Sequence, residues 1–395
     1  MKIALITVHT PTIENMRGAS ALPFHLILNC PKNIVIKIYS YNINKVAPEQ
    51  ILESSKLLNS EICVIKQSFF RLLCFRLFFL LRACLPYPLL HYLKLPLKIQ
   101  NEIHQKYDKV WIYGEDIGKF ANMFKKKMCV VTTPDCEALY YRRILDIPSK
   151  LNNYYKILRY SRAYWQYINI AKTAPTENVI YHLVGKEDMD FLKAINPAIK
   201  AQFIPHPHYD GNVDRIVQFT SPKIRLLMPG RYDFYSAEAV DDAIQAMSQH
   251  PKLSKYYRIT FQGKNWESSA DKLRKAGYDV EMKGFVPCYK DELCQHDIQL
   301  SPICLGTGTK GKVLDAFING LMVIAPIRAI ENICVSDKEE YMFYSSSKDL
   351  IDILFTIPDD IHHYEQIAKN GQRKVLCMHN AKQISIQFFD LFIKK

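Results

Sequence analysis

The chain has 395 residues, of which 48% are hydrophobic and 23% charged, with only 14 glycines and 20 prolines. That composition excludes a disordered, collagen-like or low-complexity chain, and the length suits two domains of roughly 100–200 residues. The net charge of +13 is lopsided: residues 1–200 hold 28 Lys and Arg against 15 Asp and Glu, while residues 201–395 hold 24 of each.

A basic half beside a neutral half implies different partners for each, the basic one meeting an acidic lipid, a phosphate-bearing substrate or nucleic acid. The eleven cysteines are scattered, with no C-x-x-C pair and no Cys/His spacing of a zinc site. This excludes a disulfide scaffold and a zinc module, and points to reduced thiols in a reducing compartment. The opening "MKIALITV" is too short and strand-like for a signal peptide, so a cytoplasmic location is expected.

In chain order, "KIALITV" predicts a strand and "HTPTIENMRGAS" the loop after it. That loop puts His9 and Gly18 at the strand end, as candidates for an acceptor site. "NIVIKIYS" predicts a second strand. "SFFRLLCFRLFFLLRACLPYPLLHYLKLPLK" (68–98) is the most apolar stretch, but Arg71, Arg76 and Arg82 interrupt it. A span needs ~20 apolar residues, so this segment suits a helix lying in the membrane interface, or a domain helix whose arginines snorkel from the core. "KVWIYGE" and "MCVVTTPD" predict two more strands, the second carrying Asp135 and Glu137 to its end. Either carboxylate is a candidate to position or deprotonate an acceptor hydroxyl; the structural alternative is a helix-capping Asp135 and a Glu137 paired with a nearby Arg. "HLVGKEDMDFLKAI" opens as an apolar run and continues as a helix. "AQFIPHPHYDGN" predicts a junction, where His206 and His208 read as hinge residues.

The pattern then restarts. "KIRLLMPG", "YRITFQG", "DVEMKGFVP", "DIQLSPI" and "LMVIAP" predict strands alternating with helices such as "AEAVDDAIQAM", where Val240, Ile244 and Met247 share one face. Alternation of this kind makes a parallel sheet, and two runs make two doubly wound domains facing across a cleft. Ligands of such sheets bind at the carboxyl ends of the strands, where Gly230, Gly263, Gly284 and Gly306 fall.

"GTGTKGKV" (306–313) is one residue from a Walker A loop. Val313 stands where a magnesium-binding hydroxyl is required, and "LMVIAP" does not end in the acidic residue that would serve the metal, which argues against a P-loop hydrolase. The loop can still hold phosphate. Gly306 and Gly308 let backbone approach a ligand, and a helix over about 310–319 would offer free N–H groups and its positive dipole end. Val313, Leu314, Phe317 and Leu321 form the buried stripe, so Lys312 and Asp315 are expected to face outward, Asp315 within reach of ribose hydroxyls. The alternative is a solvated Lys–Asp pair on a surface helix.

"KGFVPCYKDELCQHDIQLSPICLGTGTKGKVLDAFINGLMVIAP" resembles the C-terminal half of GT-B glycosyltransferases of the group 1, retaining type. The matching positions are Gly284, Val286, Pro302, Gly306, Gly308, Lys310, Lys312, Leu314, Asp315, Ala316, Gly320 and Val323. "PGRY" (229–232) resembles the family's Gly-Arg turn, and "PDCEALYYRR" and "HLVGKEDMDFLKAINPAIKAQFIPH" resemble its N-terminal half. The likeness covers most of the chain, strongly in 280–326 and weakly in 1–100. It implies an acceptor-side domain over 1–205, a nucleotide-sugar donor domain over 206–375, and a terminal helix from about 376 to 395 that returns to the first domain.

The resemblance also implies roles. Gly230 and Arg231 would bind the donor diphosphate. Gly284, Phe285 and Val286 would contact the base. Gly306, Thr307, Gly308 and Thr309 would hold phosphate and sugar, and Asp315 the ribose. Departures are specific: the family's first sugar-binding Glu is Thr307, and a phosphate-binding Lys is Ser236, for which Lys264 or Lys310 is a candidate replacement.

The expected activity is metal-independent transfer of a sugar from a nucleoside diphosphate sugar to a glycan, lipid-linked, in bacterial surface polysaccharide assembly such as capsule or lipopolysaccharide. Arg231 and Lys310 are the candidate catalytic cations, with no cofactor and no metal. Retention is implied by the resemblance alone; a working Asp135 base would suit inversion. The alternative is a non-catalytic nucleotide-sugar or glycan binder on the same scaffold. No nucleic-acid-binding module is recognisable, and the basic first half is expected to rest on the anionic inner face of the cytoplasmic membrane.

Overall fold

The computed structural model describes residues 1–12, 18–66, 84–147, 151–209, 215, 217–219, 221–234 and 236–393. The expected interfacial segment 68–98 therefore lies largely outside the described residues.

The chain divides into two compact units, one of residues 1–207 with 381–395, the other of residues 208–380. The first holds strands β1 (Lys2–Thr7), β2 (Val35–Ser40), β3 (Glu61–Val64), β4 (Lys109–Tyr113), β5 (Cys129–Thr132), β6 (Val179–Leu183) and β7 (Ala201–Phe203). They form one seven-stranded sheet in the order β3-β2-β1-β4-β5-β6-β7, parallel at every pairing. Ile3, Ala4, Leu5 and Ile6 are all fully buried, as expected of a strand with both faces covered by helices. The helices used below are α1 (Gly18–Leu28), α2 (Glu137–Leu145) and α3 (Tyr154–Lys172).

The second unit holds β8 (Ile224–Pro229), β9 (Tyr257–Gln262), β10 (Asp279–Lys283), β11 (Ile298–Leu300), β12 (Met322–Ala325) and β13 (Met342–Phe343). They make a six-stranded sheet in the order β10-β9-β8-β11-β12-β13, again parallel. Its helices include α4 (Ala237–Gln249), α5 (Gly311–Ile318) and α6 (Ile361–Met378). Val240, Ile244 and Met247 bury the apolar face of α4.

In both sheets the strand order reverses around the first strand, β1 flanked by β2 and β4, β8 by β9 and β11. Crossovers leave such a point in opposite directions, so the loops part there and open a crevice at the carboxyl ends.

Three features differ from the sequence expectations. The loop "HTPTIENMRGAS" ends early, because Gly18 already opens α1. "AQFIPHPHYDGN" starts as β7, which pairs with β6. In place of one terminal helix from about 376, residues 376–378 complete α6, and the helix joining the first unit is α7 (Ala381–Asp390). Phe388, Phe389 and Phe392 are fully buried, and Phe388 packs on Trp111 of β4 at 4.6 Å between ring centroids.

Candidate functional site

The second unit's site starts where β8, β9 and β10 end. Gly230 N donates to Gln262 O at 2.7 Å, and Gly263 N to Lys283 O at 2.7 Å. Gly230 has φ +118° and Gly263 φ +128°, a region L side chains rarely enter. Space forbids a side chain as well: a Cβ on Gly263 would lie 2.0 Å from Gly230 O. Trp266 Nε1 donates to the same Gly230 oxygen at 2.7 Å. The turn carrying Arg231 is thus held backbone against backbone, with Arg231 itself exposed.

β11 delivers the glycine loop. Gly306 has φ +134° and Gly308 φ +61°. Lys310 Nζ donates to Thr307 O at 2.7 Å and Gly308 O at 3.1 Å, so its ammonium braces the loop from within. α5 then starts with no side-chain cap and no acidic residue in its first turn. An uncapped N-terminus presents backbone N–H groups to an anion.

Pro229, Arg231, Ser236, Trp266, Ser301 and Lys312 line a pocket of about 370 Å³ at this strand-order reversal. A Cβ on Gly230 would come within 2.6 Å of Lys312 Nζ, so the Lys312 ammonium lies over the Gly230 turn. Crowding by protein there lowers its pKa, while Asp233 and Asp315 pull it back up.

Asp315 corrects the expectation of an outward-facing carboxylate. It is partly enclosed, and burial pushes its pKa up to about 7 against the opposing pull of Lys312. Val313, Leu314, Phe317 and Leu321 are buried as the helical spacing predicts. Tyr289 is a neighbour that sequence reasoning missed: burial, then Asp315, raises its pKa, and its hydroxyl is buried without a protein partner. Only the fold brings residues 289 and 315 together.

The remaining donor candidates are not among the residues lining this pocket. Lys264 is exposed just past β9, its carbonyl accepting from Tyr232 N at 3.0 Å. Gly284 and Val286 follow β10, and Phe285 between them is 95% exposed. Thr307 is buried and Thr309 partly so. Ser236 Oγ contacts the Arg231 and Asp233 carbonyls at 3.4 Å each, making it a turn residue. The cation that accompanies Arg231 in the pocket is therefore Lys312, rather than Lys310 or Lys264.

The first unit gathers carboxylates. Gly114, with φ +123°, ends β4, and Glu115 and Asp116 follow. Glu137 N, at the start of α2, donates to Glu115 Oε2 at 3.1 Å, and Cys136 N to Asp188 Oδ1 at 2.8 Å. Burial, then Asp135, Asp116 and Asp188, pushes Glu137 up to about 8. Burial raises Asp116 to about 6 and Glu115 well above the usual range, with Glu137 adding. The position before α2 is Cys136, with no side-chain cap, and Asp135 stands one residue further out. Glu115 Oε1 and Thr133 Oγ1 are buried without a protein partner and line a second pocket of about 350 Å³. Neither was singled out in the sequence, where Glu115 stands merely as the end of a strand. His9 follows β1, its carbonyl accepting from Thr7 Oγ1 at 2.8 Å, and Gly18 is the first residue of α1. Among the described residues, no group of three or more His, Cys, Asp or Glu side chains forms a metal-binding set.

No protein-family model and no curated protein matches the chain. Solved structures do. The UDP complex of HepE from Anabaena aligns over 99% of both chains with a TM-score of 0.63 at 13% identity. A glycosyltransferase from Rickettsia africae aligns over 99% of this chain and 97% of its own, with a TM-score of 0.63 at 11% identity. WaaG, a glycosyltransferase involved in lipopolysaccharide biosynthesis, aligns over 100% of both chains with a TM-score of 0.59 at 12% identity. The fold is the GT-B glycosyltransferase fold, an α/β architecture of two Rossmann-like units.

Proposed function

We propose that this protein is a glycosyltransferase that moves a sugar from a nucleoside diphosphate sugar to a glycan acceptor. One observation carries the reading: Arg231, Lys312, Asp315 and the uncapped start of α5 converge at the strand-order reversal of the second unit. Two cations and a helix N-terminus suit a diphosphate, and a carboxylate suits ribose hydroxyls. HepE, which shares the fold, was solved in complex with UDP.

In transfer, the bond between the anomeric carbon and the diphosphate oxygen breaks, and the electron pair leaves with the diphosphate. The acceptor hydroxyl oxygen bonds to that carbon and gives up its proton. Charge growing on the leaving oxygen is what Arg231, Lys312 and the helix dipole stabilise, without a metal. In the first unit, Asp135 is the proposed proton acceptor. Glu137, titrating at about 8, is mostly protonated at neutral pH and suits donating a hydrogen bond to the acceptor. Inversion follows if Asp135 is the base; retention, which the family resemblance implies, requires the donor phosphate to take the proton on the same face.

The acceptor we propose is lipid-linked, as in bacterial surface polysaccharide assembly, with the protein resting on the inner face of the cytoplasmic membrane. The charge excess confined to residues 1–200 supports this, as does the role of WaaG in lipopolysaccharide biosynthesis. Among the described residues no helix is long and apolar enough to cross a membrane.

Thr307 and Ser236, standing where the resembling family has Glu and Lys, favour a second reading: a binder of nucleotide sugars that has lost turnover. The test is calorimetry with UDP and other nucleoside diphosphates, followed by release of diphosphate from labelled nucleotide sugars with glycolipid acceptors. Arg231→Ala should weaken diphosphate binding by at least ~1.5 kcal/mol, the scale of a charge-assisted hydrogen bond. Unchanged affinity removes Arg231 from the site; binding without release, for every acceptor offered, selects the second reading.

A further inference from the structure

We propose that the outward face of α3 is a docking surface for an anionic lipid bilayer. The inference rests on the lipid-linked acceptor of the proposed function, and α3 lies against Leu85, Pro86 and Tyr87 of the apolar stretch 68–98.

At ~3.6 residues per turn, Tyr154, Leu158 and Trp165 fall on one line along α3, with Tyr155 and Arg162 on one flank, Ile157 on the other, and Arg159 further round past Tyr155. Tyr154 is 74% exposed, Leu158 54% and Trp165 59%, and Tyr155 and Ile157 are exposed too. The inward side carries Tyr160, Ile168, Ile170 and Ala171, all buried. The exposed side of α3 is thus apolar over its first turns, from Tyr154 to Leu158, and again at Trp165, whereas a helix on a water-facing surface turns its polar side out. Single exposed apolar side chains are ordinary; a contiguous row of large ones marks an interaction surface.

Charge selects the occupant. Residues 151–172 contain Lys156, Arg159, Arg162 and Lys172 and no Asp or Glu. Tyr and Trp, apolar rings with a polar edge, suit the headgroup level, and the exposed Arg159 suits a lipid phosphate. A second copy of this chain meeting the same face across a two-fold axis would bring Arg159 and Arg162 against their own counterparts, which like charge disfavours. Arg162 also anchors the helix, donating to Leu85 O at 2.7 Å, so the row sits on a fixed support. The helix has 19 residues, or ~28 Å at ~1.5 Å per residue, enough to lie in the bilayer plane as an interfacial helix.

The chain reports on its own docking. Of its three tryptophans, Trp111 and Trp266 are buried and Trp165 is exposed. The full-length protein is mixed with phosphatidylcholine vesicles, with and without phosphatidylglycerol, and followed by flotation and tryptophan emission. Anionic vesicles should bind it, shift its emission to the blue and shield it from iodide, and high salt should weaken binding by screening. Leu158→Gln with Trp165→Gln should weaken partition roughly tenfold or more, and Arg159→Gln by about fivefold, the value of one cation near an anionic surface. Circular dichroism and UDP calorimetry show whether the variants remain folded. If the double variant misfolds, quenching of wild-type Trp165 by brominated lipid gives the same answer without substitution.

Three results overturn the proposal: no binding of wild type to anionic vesicles, equal binding by the folded variants, or a solution dimer that Trp165→Gln dissociates. Vesicle binding needs no nucleotide. Its loss beside intact sugar transfer removes only the docking surface, and lost transfer beside intact vesicle binding removes only the transferase reading.

Discussion

Asp315 shows how one carboxylate carries a cost beside its proposed role. Its folded pKa of about 7 lies above the ordinary 3.8, so the folded state holds the proton more tightly than the unfolded chain. The sign follows from linkage: the stability this contributes is present below about pH 4 and lost as pH rises toward about 7. The thermal midpoint of wild type relative to Asp315→Asn should therefore fall across that window, by the equivalent of up to a few kcal/mol at ~1.4 kcal/mol per pKa unit. A flat difference curve would mean that Asp315 is solvated. Asp315→Asn should also lose preference for ribo- over deoxyribo-diphosphates, read by calorimetry. Equal affinity of wild type for the two would remove the ribose contact. The residue types of this site were legible in the sequence, including Arg231, the glycines and Asp315. Their division of labour was not. Lys310 and Lys312 are two positions apart, yet the loop turns one ammonium onto its own carbonyls and leaves the other over Gly230.

At the scale of the element, the turns ending β8 and β9 hold the site together. Gly263→Ala places a Cβ 2.0 Å from Gly230 O, a clash with backbone that cannot rotate away. Overpacking plus a positive φ should cost ~2–4 kcal/mol and displace Arg231. Chemical denaturation and diphosphate calorimetry should both show the loss; a variant with wild-type affinity would show that this contact does not position Arg231. The elements missed in the sequence share a cause. β3, β7 and β13 all lie at sheet edges and have four, three and two residues. An edge strand is paired on one side only, so its residues need not alternate or be uniformly apolar, and so short a run carries no period to read. Central strands such as "KIALIT" and "MVIA", buried on both faces, announce themselves by continuous apolar runs.

For the whole molecule, enclosed carboxylates of the first unit add to Asp315 of the second in setting the response to pH. The first packs Glu115, Asp116 and Glu137 together, and burial raises all three. Raised carboxylate pKa values give stability that is complete at pH about 4 and lost as pH rises through about 6 for Asp116 and about 8 for Glu137. The thermal midpoint should fall between about pH 5 and pH 8.5, and Glu137→Gln should flatten the upper part of that fall. A midpoint that rises with pH over this range would mean that the cluster is neutralised by cations. Whole-enzyme chemistry has its own test. With Arg231 and Lys312 as the site's cations, transfer should survive a chelator; complete loss that manganese restores would assign the diphosphate's neutralisation to a metal.

By itself the sequence determined two doubly wound units, because apolar runs and the glycines after them are local signals of buried strands and strand ends. It also determined a glycine loop running into an amphipathic helix over 306–318, because glycine spacing before such a helix is a local pattern. Only the tertiary structure decided what those residues face. It partly enclosed Asp315 near Tyr289, brought Glu137 to the adjacent Glu115 and Asp116, and sent Phe388 back across most of the chain length to Trp111. Burial and charge neighbourhood depend on which elements pack together, and no periodicity along a single chain encodes that.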